Sequence, residues 1–192
     1  MYYHGFTSKE EAIEHYQRAY FGERYVGVSL SQIRAPEWAQ MKITEFMEKP
    51  KNFLIYCGNP GIGKTFLCSC LIDWAITNFR SFRYWNESEL LKKVRSSIED
   101  FKGDYLETLK YLIDDDLIFL DDIGSTGLNE WRKEIIFDAV DERYCSMKPT
   151  IITTNFSMKE LEKNFPERVS SRLLAKENTI IEILDGTDLR RN

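Results

Sequence analysis

An eight-residue stretch, Gly58–Thr65, constrains the fold of this chain more than any other part of its sequence. It reads GNPGIGKT and fills every fixed position of the pattern G-x-x-x-x-G-K-[ST]. This pattern forms a glycine-rich loop that joins a strand to a helix and surrounds phosphate groups with backbone N–H groups. The stretch therefore predicts an α/β fold with a nucleoside triphosphate site at the end of one strand.

The segments on either side of this loop have the periodicity that such a fold requires. Asn52–Cys57 is a short apolar run typical of a buried strand, and Phe66–Phe79 has apolar residues at helical spacing. Glycines let backbone N–H groups turn toward a β-phosphate because no Cβ obstructs them. We expect Lys64 to bring positive charge to the β- and γ-phosphates, and the Thr65 hydroxyl to bind Mg²⁺. The alternative, a chance glycine-rich turn, is disfavoured by this context.

A second motif, which ends in acidic residues, lies at Asp116–Gly124 and reads DLIFLDDIG. The apolar run Leu117–Leu120 predicts a buried strand, and Asp121 and Asp122 follow it directly. This is the pattern of a Walker B strand, in which the first acid holds Mg²⁺ through water and the second can activate an attacking water. Downstream of a complete P-loop, the pattern indicates a pair of functional carboxylates.

A third candidate residue follows the β-branched run Thr150–Thr154, which predicts another strand and ends at Asn155. In open α/β sheets, ligands bind beyond the carboxyl ends of the strands. Asn155 is therefore placed to orient a water near a γ-phosphate. The alternative is a turn residue whose side chain satisfies its own backbone.

Composition and charge limit the classes of protein to which the chain can belong. Its 192 residues, of which 43% are hydrophobic and 30% charged, are typical of one α/β domain with a short appendage. A net charge of −5 argues against a uniformly basic surface, so any contact with nucleic acid requires a local patch. The sequence has neither the apolar core of a signal peptide nor a run long enough to span a bilayer. We expect a cytoplasmic protein without membrane contact.

The chain has four cysteines, and no pair has the spacing of a zinc finger. Cys57 falls in the strand before the P-loop, and Cys68 and Cys70 fall in the helix after it. Together with Cys145, they are expected to be buried, reduced thiols.

The first fifty residues are predicted to be helical but too few to form an independent core. Ser8 is expected to cap a helix over Lys9–Tyr20 and to form a capping box with Glu11. Tyr25–Ile33 is predicted to be an extended linker, and a second helix is expected to run from about Pro36 to Glu48. We therefore divide the chain into an N-terminal helical segment at 1–50, packed on the core, and a core at 51–192.

A basic surface is predicted on the helix that follows Asn86. Asn86 is expected to cap this helix. Its apolar residues share one face, and its basic residues lie away from that face. The apolar residues are Leu90, Leu91, Val94 and Ile98. The basic residues are Lys92, Lys93 and Arg95. They form either a solvated face or a contact for a nucleic-acid backbone.

Taken together, the motifs give the chain a resemblance to a known family. The carrying segments are GNPGIGKT (58–65), WNESELLKKVRSSI (85–98), DLIFLDDIG (116–124), PTIITTN (149–155), ERVSSRLL (167–174) and DGTDLRR (185–191). In content and order they resemble the bacterial DnaC/DnaI-type helicase loaders and the IstB transposition ATPases, a clade of AAA+ proteins. The resemblance covers nearly everything from Arg24 onward.

The resemblance implies a fold and a set of site residues. The fold is a three-layer α/β/α P-loop core around a five-stranded parallel sheet in the order 5-1-4-3-2, without a C-terminal lid domain. Asp122, Asn155 and Arg172 would be catalytic, and Thr65 and Asp121 would hold Mg²⁺. Arg172 matches the arginine finger that reaches a neighbouring subunit's γ-phosphate, Arg168 being the weaker candidate and a surface ion pair the alternative. ATP or ADP would contact Gly58, Asn59, Pro60, Gly61, Ile62, Gly63, Lys64, Thr65 and Phe66.

The function that the resemblance implies is Mg²⁺-dependent ATP hydrolysis during DNA replication. The expected partners are a hexameric replicative helicase, single-stranded DNA and further copies of this chain. Loaders of this family carry an N-terminal helicase-binding domain, whereas only residues 1–50 precede the core here. The alternatives are an IstB-like transposition helper and a slowly hydrolysing nucleotide switch. A small-molecule P-loop kinase is disfavoured because no arginine-rich lid segment follows the core.

Overall fold

The computed structural model describes residues 5–101, 105–124 and 129–184, with side chains described outside 98–101. The strands are β1 (Phe53–Gly58), β2 (Phe82–Asn86), β3 (Leu117–Ile123), β4 (Thr150–Thr154) and β5 (Thr179–Ile183). The helices are α1 (Lys9–Phe21), α2 (Glu37–Glu48), α3 (Lys64–Cys70), α4 (Ile72–Asn78), α5 (Glu87–Phe101), α6 (Tyr105–Ile113), α7 (Glu130–Cys145), α8 (Met158–Asn164) and α9 (Glu167–Leu173).

The five strands form one parallel sheet in the order β2-β3-β4-β1-β5. This is the expected order 5-1-4-3-2 read from the other edge, so the prediction is confirmed. The P-loop strand β1 and the acidic strand β3 are separated in the sheet by β4. Because all strands are parallel, their carboxyl ends meet at one edge, where the predicted site residues collect.

Alternate residues of each strand face opposite layers of helices, as strand geometry requires. In β1, Leu54 and Tyr56 pack into one apolar cluster with residues of the first four helices. Phe53 and Ile55 pack into a second cluster with residues of the later helices, from α5 to α9. The two clusters are the two cores of a three-layer α/β/α sandwich, which confirms the predicted fold class.

The N-terminal helices complete the first of these layers. Ala12 of α1 and Ala39, Ile43 and Phe46 of α2 are almost fully buried in the same cluster as β1 and the helix after the P-loop. Lys42 of α2 also donates a hydrogen bond to the carbonyl of a residue in β5. The sequence-based division at residue 50 stays a prediction.

Three local predictions require correction. The helix expected over Phe66–Phe79 is divided at Leu71, whose N–H lies 3.0 Å from the carbonyl oxygen of Leu67 and 3.2 Å from that of Cys68. Shared bonding of this kind tightens the last turn of a helix. The expected extended linker instead contains the 3₁₀ helix Leu30–Gln32, and another 3₁₀ helix, Glu23–Tyr25, ends at its first residue.

The third correction concerns the cap of α1. Ser8 does cap this helix by accepting from the N–H of Glu11. The Glu11 carboxylate, however, accepts from the N–H and hydroxyl of Thr7 rather than closing a box with Ser8. Within the described ranges, no helix is long and apolar enough to cross a membrane. The closing motif at 185–191 lies outside the described residues.

Candidate nucleotide-binding site

The P-loop begins where β1 ends, and its three glycines all have positive φ values, as at Gly58 and Gly63. Gly58 has a φ of +138°, and a Cβ added there would lie 1.9 Å from the carbonyl oxygen of Ile183. Gly63 has a φ of +91° and precedes the first residue of α3, Lys64. Both conformations are strained for residues with a side chain. Strand, tight loop and helix therefore follow one another as the motif predicts.

Lys64 lies folded over the loop that precedes it. Its Nζ donates to the carbonyl oxygens of Gly58 (2.7 Å) and Asn59 (2.8 Å), and the residue is only 7% exposed. These bonds hold the ammonium group against the loop. The positive charge is therefore concentrated at the place where the motif binds phosphate.

Asp121 is the most heavily hydrogen-bonded acid of the site. It is 2% exposed, and its Oδ2 accepts from the Thr65 hydroxyl at 2.9 Å and the Tyr84 hydroxyl at 2.7 Å. The hydroxyl of Thr153 donates to its Oδ1. The carboxylate thus joins α3, β2 and β4 to its own strand. A carboxylate beside a hydroxyl presents the hard oxygen ligands that Mg²⁺ prefers.

Asp122 is presented to the cavity by an irregularity in β3. The pairing of β3 with β4 shifts register between Leu120 and Ile123, and Asp122 has a φ of +59°. Such a bulge redirects side chains, and aspartate is among the residues that best tolerate the left-handed region. The Nδ2 of Asn155 donates to Oδ1 of Asp122 at 2.7 Å. The structure therefore brings these two candidate residues into direct contact.

A cavity of about 750 Å³ lies beside the P-loop and contains most of the predicted residues. Asp121, Asp122 and Asn155 line it together with Thr153. The P-loop contributes Pro60, Gly61, Ile62, Gly63, Lys64, Thr65 and Phe66, and Leu67 follows. Gly58 and Asn59 are not among the lining residues. They contact Lys64 through their carbonyl groups instead.

Sequence reasoning missed one wall of this cavity. The N-terminal segment 24–35 contributes Arg24, Tyr25, Ser31, Gln32, Ile33, Arg34 and Ala35. Tyr25–Ile33, the greater part of this segment, was predicted to be an extended linker, and short 3₁₀ turns have no periodic pattern that would reveal them. One indirect indication of this wall was present in the sequence: apolar and cationic residues are mixed in a segment that has neither a strand nor a helix pattern.

Neither of the two candidate arginine fingers lines this cavity. The Nε of Arg172 lies 2.5 Å from Oδ1 of Asp141, in an ion pair between α9 and α7. The Arg168 guanidinium lies over the ring of Phe137, 4.6 Å from its centroid. Both guanidinium groups therefore lie over Phe137 and outside the cavity. The ion pair that was the alternative interpretation of Arg172 is present, although its two side chains are only 21% and 28% exposed.

The basic residues of α5 have the exposure that their pattern predicts. Lys92, Lys93 and Arg95 are exposed, while Leu90 and Val94 are fully buried in the second core. The Arg95 guanidinium lies 4.8 Å from the ring centroid of Trp131. Ile98, predicted for the apolar face, lies outside the described side chains. The cations therefore form an exposed patch.

The cysteine prediction is confirmed for three residues and wrong for the fourth. All four thiols are free; Cys57, Cys68 and Cys70 are buried, whereas Cys145 at the end of α7 is exposed. Burial raises the pKa of Cys57 and of Cys70 to about 12 in each case. Groups of three or more His, Cys, Asp or Glu that could hold a metal do not occur in the described part of the chain.

Comparisons with known proteins identify relatives of the whole arrangement. The model of the family described as IstB-like ATP binding protein matches residues 30–176. The replicative helicase loader DnaC of Escherichia coli K12 is 28% identical over 142 residues, which cover 74% of this chain and 58% of that protein. The replicative helicase loader DnaI of Bacillus subtilis 168 is 24% identical over 157 residues, covering 76% and 50%.

Solved structures agree with this relationship. A crystal structure of the DnaC helicase loader aligns with a TM-score of 0.68 at 25% identity, covering 83% of this chain and 99% of that one. The predicted P-loop AAA+ fold is therefore confirmed. The chain spans only 58% of the length of the first curated relative.

Proposed function

Because the chain belongs to the IstB-like ATP-binding protein family, we propose that it is a helicase loader that hydrolyses ATP. In this proposal it delivers a hexameric replicative helicase to single-stranded DNA. The observation that carries the proposal is the convergence of Lys64, Asp121 and the Asp122–Asn155 pair on one cavity. These are the groups that bind phosphate, hold a metal and position water in P-loop enzymes.

Each residue of the cavity has a role in this proposal. Lys64 would leave the carbonyls of its own loop and bind the β- and γ-phosphates, since an ammonium group pairs more strongly with an anionic oxygen than with a neutral one. Thr65 and Asp121 would hold Mg²⁺, which neutralises charge that develops on the phosphates during transfer. Asp122 would accept the proton of the attacking water, and Asn155 would fix the orientation of that carboxylate.

Assembly into oligomers completes the proposal. Since Arg172 lies away from the P-loop of its own chain, it would act on the nucleotide of a neighbouring copy. A guanidinium in such a position stabilises the charge that develops on the γ-phosphoryl group. In the isolated chain Arg172 is held by Asp141 and by the carbonyl of Arg168, so it would have to leave these partners when the neighbour docks.

The partners are proposed from the relatives, two of which are named replicative helicase loaders. A pull-down from host extract tests this part directly. Recovery of a hexameric helicase is expected, and recovery of a transposase instead would contradict the loader. ATP turnover should rise when the helicase and single-stranded DNA are added together.

The exposed patch on α5 is the proposed contact for single-stranded DNA. Replacing Lys92 and Lys93 by Glu should weaken DNA binding and reduce its dependence on salt. Each lost phosphate contact lowers the slope of log K against log salt by about 0.7, so a fall of about 1.4 is expected. Lys159 and Lys163, exposed on α8, provide a matched pair for control reversal. An equal effect at both pairs would mean that charge alone, not this patch, sets the affinity.

One finding favours a second candidate, an IstB-like transposition helper. The matching family model is described by the IstB name, and it covers the site and most of both cores. A nucleotide switch that hydrolyses slowly is the third candidate, because Asp122 has a shorter side chain than Glu and would hold the attacking water less well. A single-turnover assay with and without single-stranded DNA separates this switch from the two motors.

A further inference from the structure

Helix α1 is joined to the nucleotide cavity by one buried side chain, Gln17. This residue is 1% exposed, and its carboxamide makes three hydrogen bonds to backbone groups. Nε2 donates to the carbonyl oxygens of Val28 at 2.9 Å and Ser69 at 3.2 Å. Oε1 accepts from the N–H of Gly27 at 2.8 Å. Both ends of the amide are therefore bonded, which fixes its orientation.

The backbone groups that Gln17 binds belong to two elements that border the cavity, although the three residues do not line it themselves. Gly27 and Val28 lie in the N-terminal segment 24–35, which forms the wall of the cavity that sequence reasoning missed. Ser69 lies in the last turn of α3, the helix that begins at the P-loop lysine. Gln17 thus spans the wall and the phosphate-binding helix with a single rigid group.

Further bonds run between the same two elements. The hydroxyl of Ser69 donates to the carbonyl oxygen of Tyr25 at 3.3 Å, and the Cys70 thiol lies 3.2 Å from the carbonyl oxygen of Ser29. Alone, these contacts are long or involve weak donors. With Gln17 they form a row of attachments along the segment, in which the two shortest bonds are those of Gln17 to Gly27 and Val28, at 2.8 and 2.9 Å.

We propose that Gln17 is a positioning residue for the nucleoside half of the bound nucleotide, an inference that rests on the proposed nucleotide site. The phosphates would occupy the P-loop, so the rest of the molecule would extend along the lining beyond the P-loop and the acids, most of which comes from the segment 24–35, with Tyr56 of β1 beside it. Gln17 does not line the cavity. It acts by holding this wall at a set distance from α3.

The affinity for the nucleotide depends on the fraction of molecules in which the wall is correctly placed. A wall that is correctly placed for only a fraction of the time raises the apparent Kd by the inverse of that fraction. A ligand made of phosphates alone does not use the wall, so its affinity depends on the P-loop only. Loss of Gln17 should therefore weaken binding of the nucleotide and leave binding of a phosphate-only ligand nearly unchanged, although both ligands use the same P-loop.

The experiment compares Mg·ATP with inorganic tripolyphosphate by calorimetry on the full chain. Gln17→Leu has a similar volume but leaves two carbonyls and one N–H without their partner. It should raise the Kd for ATP about tenfold or more and change that for tripolyphosphate by less than about twofold. Ser69→Ala removes a second attachment and should shift ATP affinity in the same selective way, by a smaller factor. Glu14→Gln, on the exposed surface of α1, is the matched control and should change neither value.

The outcomes separate this inference from the proposed function. Equal weakening toward both ligands in Gln17→Leu, or unchanged affinity for ATP, would overturn the positioning role. Should Gln17→Leu not fold, unchanged ATP affinity in Ser69→Ala would overturn it as well. If wild type binds ATP and neither variant loses ATP affinity selectively, the positioning role is refuted and the proposed nucleotide site is not. Failure of wild type to bind ATP overturns both it and the proposed nucleotide site.

Discussion

Replacing Tyr84 by Phe tests whether a hydroxyl outside the motifs supports the acid at the centre of the site. Tyr84 is 6% exposed, and its hydroxyl donates to the buried carboxylate of Asp121 at 2.7 Å. Burial and the neighbouring Asp121 raise the pKa of Tyr84, so the hydroxyl is a donor at neutral pH. Phe keeps the ring that packs against Tyr20 and Phe21 and removes only this donor.

The size of the effect follows from the charge and burial of the acceptor. A hydrogen bond to a charged group contributes about 1.5–3 kcal/mol, and the carboxylate would retain the Thr65 and Thr153 hydroxyls and the weak thiol donor of Cys68 at 3.9 Å. For a chain of this length, that loss lowers Tm by about 3–12 °C. Mg²⁺ bound at Asp121 would compensate for the missing donor. We therefore expect Mg·ATP to stabilise Tyr84→Phe by more than it stabilises wild type.

Urea unfolding with and without Mg·ATP measures both quantities. Tyr111→Phe is the matched control, because Tyr111 is 74% exposed and the same oxygen is lost there without a buried acceptor. Equal unfolding free energies for Tyr84→Phe and wild type would refute the supporting role of the hydroxyl. Equal stabilisation of the two proteins by Mg·ATP would refute the placement of the metal at Asp121.

Three further perturbations address catalysis, assembly and pH. Asp122→Asn should bind Mg·ATP with wild-type affinity but lose most of its turnover, because it removes the proton acceptor. Arg172→Ala should bind ATP and Lys64→Ala should not, and each variant alone should be inactive, since an arginine finger contributes on the order of 10³–10⁵ in rate. A mixture of the two should regain part of the activity, because some interfaces will pair an intact P-loop with an intact Arg172. Because burial raises the pKa of Cys57 to about 12, the unfolded thiol loses its proton first as pH rises. The unfolding free energy should therefore fall between about pH 9 and 12, and less steeply in Cys57→Ala.

Each of these predictions has a contrary result. Turnover of Asp122→Asn is measured by radioactive or coupled assays of phosphate release. Undiminished turnover would mean that a group other than Asp122 is the general base. No recovery at any mixing ratio, with oligomers confirmed for both variants, would mean that Arg172 acts within its own chain or not at all. A pH dependence that is identical in Cys57→Ala would assign the alkaline loss of stability to other groups.

Local patterns in the sequence predicted most of the scaffold. The bounds of β4 are as expected, because a β-branched run is a property of consecutive residues. The P-loop is likewise contiguous, and its glycine positions have the φ values that require glycine. Even the contact of Asp122 with Asn155 was foreseeable in outline, because the carboxyl ends of parallel strands meet at one edge. The role of Arg172 stays a prediction.

The supports of the site were decided by the tertiary structure alone. The Tyr84 hydroxyl bonds an acid 37 positions away, and the Gln17 amide bonds a carbonyl 52 positions away. Neither Tyr84 nor Gln17 belongs to a motif. The periods of a strand (2 residues) and a helix (3.6 residues) relate only near neighbours in the sequence, so they predict neither of these contacts. The bulge that turns Asp122 toward the cavity depends on how β3 pairs with β4. Hydrogen bonds of this kind exist only once the layers are packed, because packing sets the few tenths of an ångström on which they depend.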